Sequence, residues 1–191
     1  MSWDPYLDLD SGVLRNRFGI TDREELARAE SDFSASRLVD LEHADLPGHY
    51  DLPHLQAFHR HLFGDVYDWA GELRTVAIGK GAAFCAPGDL TSAGERVFGQ
   101  LARHRCLQGL DRDTFVDALA RLLGEINGLH PFREGNGRTQ RAFLGQLART
   151  AGHPVRWAAI DPAENVAASR AAHLDGDRAP LRAMLDALVA D

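Results

Sequence analysis

Apolar residues return at helical spacing in several stretches of the chain. Leu90, Val97, Phe98 and Leu101 form one set, Phe115, Leu119, Leu122, Leu123 and Ile126 a second, and Leu181, Met184, Leu185 and Leu188 a third. Each set marks the buried face of an amphipathic helix. Start and stop signals agree: Pro53 and Pro180 stand where a first helical residue would, and Gly152 with Pro154 closes a helix that carries Phe143, Leu144 and Leu147. Thr21, with Glu24 three residues on and good helix formers behind it, reads as a capping box. The chain is therefore predicted to be all-α in the main. The exception is Gly71-Glu72-Leu73-Arg74-Thr75-Val76-Ala77-Ile78, whose β-favouring residues run into Gly79-Lys80-Gly81 and then Ala83-Phe84-Cys85. This reads as a small β-hairpin over about residues 71–86. No internal repeat, low-complexity tract or Ser/Gly-rich linker interrupts the pattern, so a single domain over 1–191 is expected.

Composition narrows the function. With 45% hydrophobic and 26% charged residues, 191 residues suffice for a real core. A formal net charge of -7 argues against a non-specific nucleic-acid binder, which needs a basic surface to displace counterions. Any phosphate chemistry must then be local. Cys85 and Cys106 match no metal or redox spacing and read as reduced thiols, which suits the cytoplasm. Met1-Ser2-Trp3-Asp4-Pro5 lacks the basic and apolar regions of a signal peptide, and no apolar run is long enough to span a bilayer. A soluble protein without a membrane partner is expected.

The chemistry concentrates between two helical patterns, in His130-Pro131-Phe132-Arg133-Glu134-Gly135-Asn136-Gly137-Arg138-Thr139-Gln140-Arg141. Gly135, Asn136 and Gly137 at a helix start can converge backbone N–H groups on an anion, aided by the positive end of the helix dipole. Arg138 and Arg141, three apart, can add forked donors. Two arginines at a helix N-terminus oppose its dipole, so an anionic ligand explains them better than stability does. Glu134 is placed to hold Mg²⁺ beside a polyphosphate. His130, with an ordinary pKa near ~6.5, can serve as a base. A base, a metal ligand, an anion hole and charge neutralisation are what phosphoryl or nucleotidyl transfer needs. Pro131 stiffens the turn, and Arg133 reads as a solvated side chain.

This stretch resembles, without departure, the Fic-family pattern His-any-Phe-any-Asp/Glu-Gly-Asn-Gly-Arg with a further Arg after two intervening residues. Tyr67-Asp68-Trp69-Ala70-Gly71-Glu72-Leu73-Arg74-Thr75 is similar to the segment that enters the family's target-recognition hairpin, the flap. The resemblance implies a protein adenylyltransferase that moves AMP from ATP, with Mg²⁺, to a Ser, Thr or Tyr hydroxyl of a target protein. It implies His130 as the base, Phe132 as an apolar anchor and Glu134 as the Mg²⁺ ligand. Gly135, Asn136 and Gly137 would hold the α- and β-phosphates, and Arg138 and Arg141 would orient the triphosphate, Arg141 toward the γ-phosphate. Flap residues Arg74, Thr75, Val76, Ala77, Ile78 and Lys80 would pair with an extended segment of the target, with Lys80 either selecting an acidic partner or lying solvated.

The resemblance also bears on control and on alternatives. Many Fic enzymes carry a Ser/Thr-any-any-any-Glu-Gly/Asn inhibitory motif. Here Thr21 and Glu25 have the spacing but Leu26 follows, and Glu164-Asn165 has the ending but Ile160 precedes. No built-in inhibitory helix is expected, which implies either a toxin-type enzyme with a separate small antitoxin protein or an uninhibited chain. Relatives that transfer phosphate or UMP often change the motif, whereas Gly137 is intact. A non-catalytic nucleotide- or protein-binding adaptor would show a degenerate motif, and a metal-dependent phosphoesterase would need more ligands than Glu134. His59 and His61, two apart, do not share a helix face and read as structural or surface residues. His43, His49, His54, His104, His153 and His173 show no partner pattern.

Overall fold

The computed structural model describes residues 4–190. Among these, the helices are α1 (Arg23–His43), α2 (Leu52–Phe63), α3 (Leu90–Arg103), α4 (Arg112–Leu129), α5 (Asn136–Ala151), α6 (Pro162–Leu174) and α7 (Ala179–Leu188). The three apolar sets fall on α3, α4 and α7, and Gly152 ends α5 in the left-handed conformation, as read. None of the described helices is long and apolar enough to cross a membrane.

α4 runs through the middle. Its Phe115, Val116, Leu119 and Ile126 have no exposed surface, and it packs against α3 and α5 as well as against the α6–α7 pair. α2 lies between α1 and α5. Phe143 of α5 is the aromatic hub, met edge-on by Tyr50, Phe58 and Phe98 at centroid distances of 5.7, 5.6 and 5.7 Å. Such edge-to-face pairs add to the free energy of burial and orient the helices they join.

Three expectations need correction. The cap of α1 is Asp22, not Thr21: Asp22 keeps an extended backbone and its carboxylate accepts from the Glu25 N–H, the third position in. Pro53 and Pro180 occupy the second helical position rather than the first, where a missing N–H is equally harmless. The hairpin contracts sharply. Strand pairing is confined to β1 (Gly79–Lys80) and β2 (Ala82–Ala83), with the turn at Gly81, and residues 71–78 form no strand. The reason lies in Arg74 and Thr75. The Arg74 N–H donates to Pro131 O at 2.9 Å and the Thr75 N–H to the Tyr6 hydroxyl at 3.1 Å, so donors that a ladder would use are taken by other segments.

Candidate active site

Residues 130–135 join the C-terminus of α4 to the N-terminus of α5 in one tight loop. His130 ends α4 in the left-handed region, φ 44 and ψ 59, its N–H still donating to Ile126 O at 3.1 Å. A non-glycine residue pays about 1–2 kcal/mol for that backbone, and such strain tends to mark functional positions. Phe132, 1% exposed, anchors the loop by stacking on the buried His59 ring at 3.9 Å. The Asn136 amide closes the loop on itself: it accepts from the Phe132 N–H at 2.9 Å and donates to Phe132 O at 2.8 Å. Asn136 therefore shapes the anion cradle, with its backbone N–H and the second Nδ2 hydrogen left for a ligand.

No side chain caps α5. The N–H groups of Asn136, Gly137 and Arg138 accordingly lack an intrahelical acceptor and form an anion hole at the positive end of the helix. Gly135 has φ +78, and a Cβ there would lie 2.5 Å from the Phe63 ring. Both the turn and its packing require glycine.

The His130 ring is covered on one face rather than free. Phe84 lies flat on it, centroids 3.9 Å apart and planes within 7°, and His173 packs on Phe84 at 4.5 Å. Burial, and after it the Lys80 charge, lowers the His130 pKa to about 4; the Asn127 carbonyl opposes the shift, while Arg74 and His173 add to it. Nδ1 is buried and short of a full-geometry hydrogen bond. Nε2 is thus the nitrogen left to take a proton, and the ring is neutral at physiological pH, as a base must be.

The two arginines part company. Arg141 lines the cavity and has no carboxylate partner among the described residues, and burial followed by the Arg138 charge pushes its pKa down. Arg138, expected on the triphosphate, does not line the cavity. It forms an ion pair with Glu30, donates to Ser34 Oγ at 3.1 Å and lies 4.8 Å from the Phe63 ring centroid. Three residues of helix turn them about 60° apart, enough to leave one facing α1 and the other facing the cavity. Glu134 is half exposed, 4.0 Å from Arg138, and one of its oxygens accepts from the Gly135 N–H at 2.9 Å. His59, expected to be structural or surface, is wholly buried and bridges two segments: Nδ1 accepts from the Gly71 N–H at 2.7 Å and Nε2 donates to Glu134 O at 3.0 Å.

A cavity of about 760 Å³ gathers His130, Glu134, Asn136, Gly137 and Arg141 against Ile78, Gly79 and Lys80. Of the other flap residues, Thr75 and Ala77 are exposed, whereas Arg74 is only 2% exposed and cannot face a target. The far wall was missed in the sequence. Asn165, Ser169 and His173 of α6 line the cavity, with Trp157 and Phe84. The first three recur every fourth residue, a polar stripe that periodicity alone could have shown. Phe84 and Trp157 carried no signal.

Two neutral histidines, His59 wholly buried and His130 partly so, make stability depend on pH. His59 and His130 are both held at about 4, chiefly by burial, against ~6.5 in an unfolded chain. Between those values the unfolded state binds more protons, so stability is fully present above ~6.5 and declines as pH falls toward the folded pKa. For the wholly buried His59 alone the slope approaches ~1.4 kcal/mol per pH unit. Urea titrations at pH 7, 5.5 and 4.5 should show a falling midpoint; a constant midpoint would contradict two neutral histidines.

The Fic/DOC family model matches residues 49–148. The chain is 43% identical over 167 residues to the protein adenylyltransferase VbhT of Bartonella schoenbuchensis, covering 87% of this chain and 35% of that protein. It thus spans about a third of that relative's length. It is 38% identical over 189 residues to the Salmonella typhimurium protein named Probable protein adenylyltransferase Fic, covering 98% of this chain and 93% of the relative. The solved N-terminal Fic domain of a VirB-translocated Bep effector protein from Bartonella quintana, with bound ADP, matches at 25% identity and a TM-score of 0.92, over 97% of this chain and 94% of that one.

Proposed function

The chain belongs to the Fic/DOC family, and on that footing we infer that it is a protein adenylyltransferase, moving AMP from ATP to a hydroxyl side chain of a target protein. The observation that carries the reading is a cavity in which a neutral histidine faces an uncapped helix N-terminus and a half-buried arginine that has no carboxylate partner among the described residues. The first supplies a base. The other two supply a place for a polyphosphate.

With substrates bound, His130 Nε2 takes the proton of the target hydroxyl. The hydroxyl oxygen bonds the α-phosphorus, the bond from that phosphorus to the α–β bridging oxygen breaks, and pyrophosphate leaves with the electron pair. The backbone N–H groups of Asn136, Gly137 and Arg138 hold phosphate oxygens, and Arg141 offsets charge on the outer phosphates. Glu134 fits a Mg²⁺ role: it lines the cavity, and while one oxygen takes the Gly135 N–H, Oε2 has no hydrogen-bond partner among the described residues. Bound Mg²⁺ would neutralise phosphate charge while keeping its waters.

Residues 75–80 are proposed to register the target by strand addition, with Ile78 at the cavity and Lys80 exposed beside it. The single continuous core supports one Fic domain over the chain. Arg141 without a carboxylate partner supports a toxin-type enzyme whose inhibitory glutamate, where one exists, comes from a separate antitoxin. The use of ATP supports a cytoplasmic setting.

The test uses the purified protein with Mg²⁺ and ATP labelled on the α- or the γ-phosphate, in a bacterial lysate, beside His130→Ala. Label on protein from the α-position only, absent in the variant, is expected. Label from the γ-position only would make it a kinase, and no label despite nucleotide binding would make it an adaptor.

A further inference from the structure

We propose that Arg74 is a positioning residue for the transfer reaction, holding the catalytic base and the target-binding segment in one register through a single buried guanidinium. The proposal rests on the adenylyl-transfer reading of the site.

The guanidinium is shared among four carbonyl oxygens. Nε donates to His130 O at 2.8 Å and Nη2 to Leu129 O at 3.3 Å; these carbonyls end α4, where the base sits. Nη1 donates to Val76 O at 2.8 Å, and Nη2 also donates to Cys85 O; these carbonyls stand at the two roots of the segment 77–84 that carries Ile78, Lys80 and Phe84. The seam is sewn further by the backbone, with Arg74 N–H to Pro131 O at 2.9 Å and Cys85 N–H to Gly128 O at 3.0 Å. Phe84, just inside the neck, then lays its ring on His130.

A simple helix cap does not account for this arrangement. Glycine or solvent satisfies a helix C-terminus cheaply, whereas a cation 2% exposed has lost its hydration. Arg74 also has no carboxylate ion-pair partner among the described residues. Removing a charge from water without a counter-ion opposes folding, so its presence asks for a geometric return. That return is the planar fork, which reaches carbonyls of two segments at fixed angles; a lysine ammonium offers donors from one point and cannot. A neck that shifts by about 1 Å moves the target hydroxyl relative to Nε2, enough to cost ~10²-fold in rate. The anion hole at α5 lies outside this seam, so nucleotide binding should not feel the change.

The test compares wild type with Arg74→Lys and Arg74→Gln in three readouts: ADP affinity, transfer from α-labelled ATP, and amide hydrogen exchange. The expected result is ADP affinity within about threefold and kcat for transfer lower by ~10²-fold. Exchange should also accelerate together in residues 76–85 and 128–131 while α5 and α7 stay protected. Transfer within about threefold of wild type, or faster exchange in only one of the two segments, overturns the proposal. Loss of ADP binding and protection throughout both variants also overturns it, by making Arg74 a general stabiliser. Should wild type itself transfer no α-label, the adenylyl-transfer reading fails separately, and the paired exchange response alone decides the coupling.

Discussion

Replacing His130 by alanine is expected to lower adenylyl transfer by ~10²–10⁴-fold, the usual worth of a positioned general base, while ADP affinity stays near that of wild type. The separation follows from the geometry. Phosphates are to be held by backbone N–H groups of α5 and by Arg141, neither of which touches the imidazole. Since the folded pKa is about 4, the wild-type rate should hold steady from neutral pH down to near pH 5 and fall only below it. A rate that instead halves near the ordinary histidine value would show that the ring is not desolvated. Stability should respond in the opposite sense to activity for one substitution. His130 has φ 44, so His130→Gly relieves left-handed strain of about 1–2 kcal/mol while still removing the base. A glycine variant that melts higher than the alanine variant, both inactive, would locate the strain at the catalytic position.

Phe132→Ala should have the largest effect on folding. The ring is 1% exposed and lies on His59 at 3.9 Å, and truncating a buried phenylalanine costs about 3–5 kcal/mol. Against a total of about 5–15 kcal/mol, that is a large share. For a domain of this size it corresponds to a melting temperature lower by roughly 6–20 °C. Two consequences distinguish it from an ordinary core truncation. The Phe132 backbone is the partner of the Asn136 amide, so the loop that sets the anion hole loosens, and ADP affinity should fall with stability. His59, no longer stacked, should also titrate closer to ~6.5. Phe132→Leu, which keeps apolar volume, should restore most of the stability. A variant Phe132→Ala that melts within about 2 °C of wild type would contradict the buried anchor.

The legible part of this protein was the part written in periodicity. α3, α4 and α7 announce themselves because their buried faces are apolar and recur at 3.6 residues. The active-site loop was legible for a different reason: its chemistry needs particular residue types at contiguous positions, so His130, Glu134, Gly135, Gly137 and Arg141 could be named before any fold was known. α1 was harder. Its buried face runs through Leu26, Glu30, Ser34 and Leu41, and two polar residues at its centre erase the apolar stripe. They are there because Arg138 and the Tyr67 hydroxyl come to meet Glu30, a meeting across the chain that no local pattern records.

The same distinction separates what the sequence by itself determined from what only the tertiary structure decided. Helix content, the site of chemistry and the residue types for base and anion hole followed from local spacing, since each depends on neighbours within a turn or two. Which arginine faces the cavity, that Arg74 is buried rather than presented to a target, that Phe84 and His173 close over the base, and that His130 is held neutral were decided by packing. Each depends on long-range partners, on burial and on the charges around a group, and these exist only once α2, α4, α5 and α6 have come together.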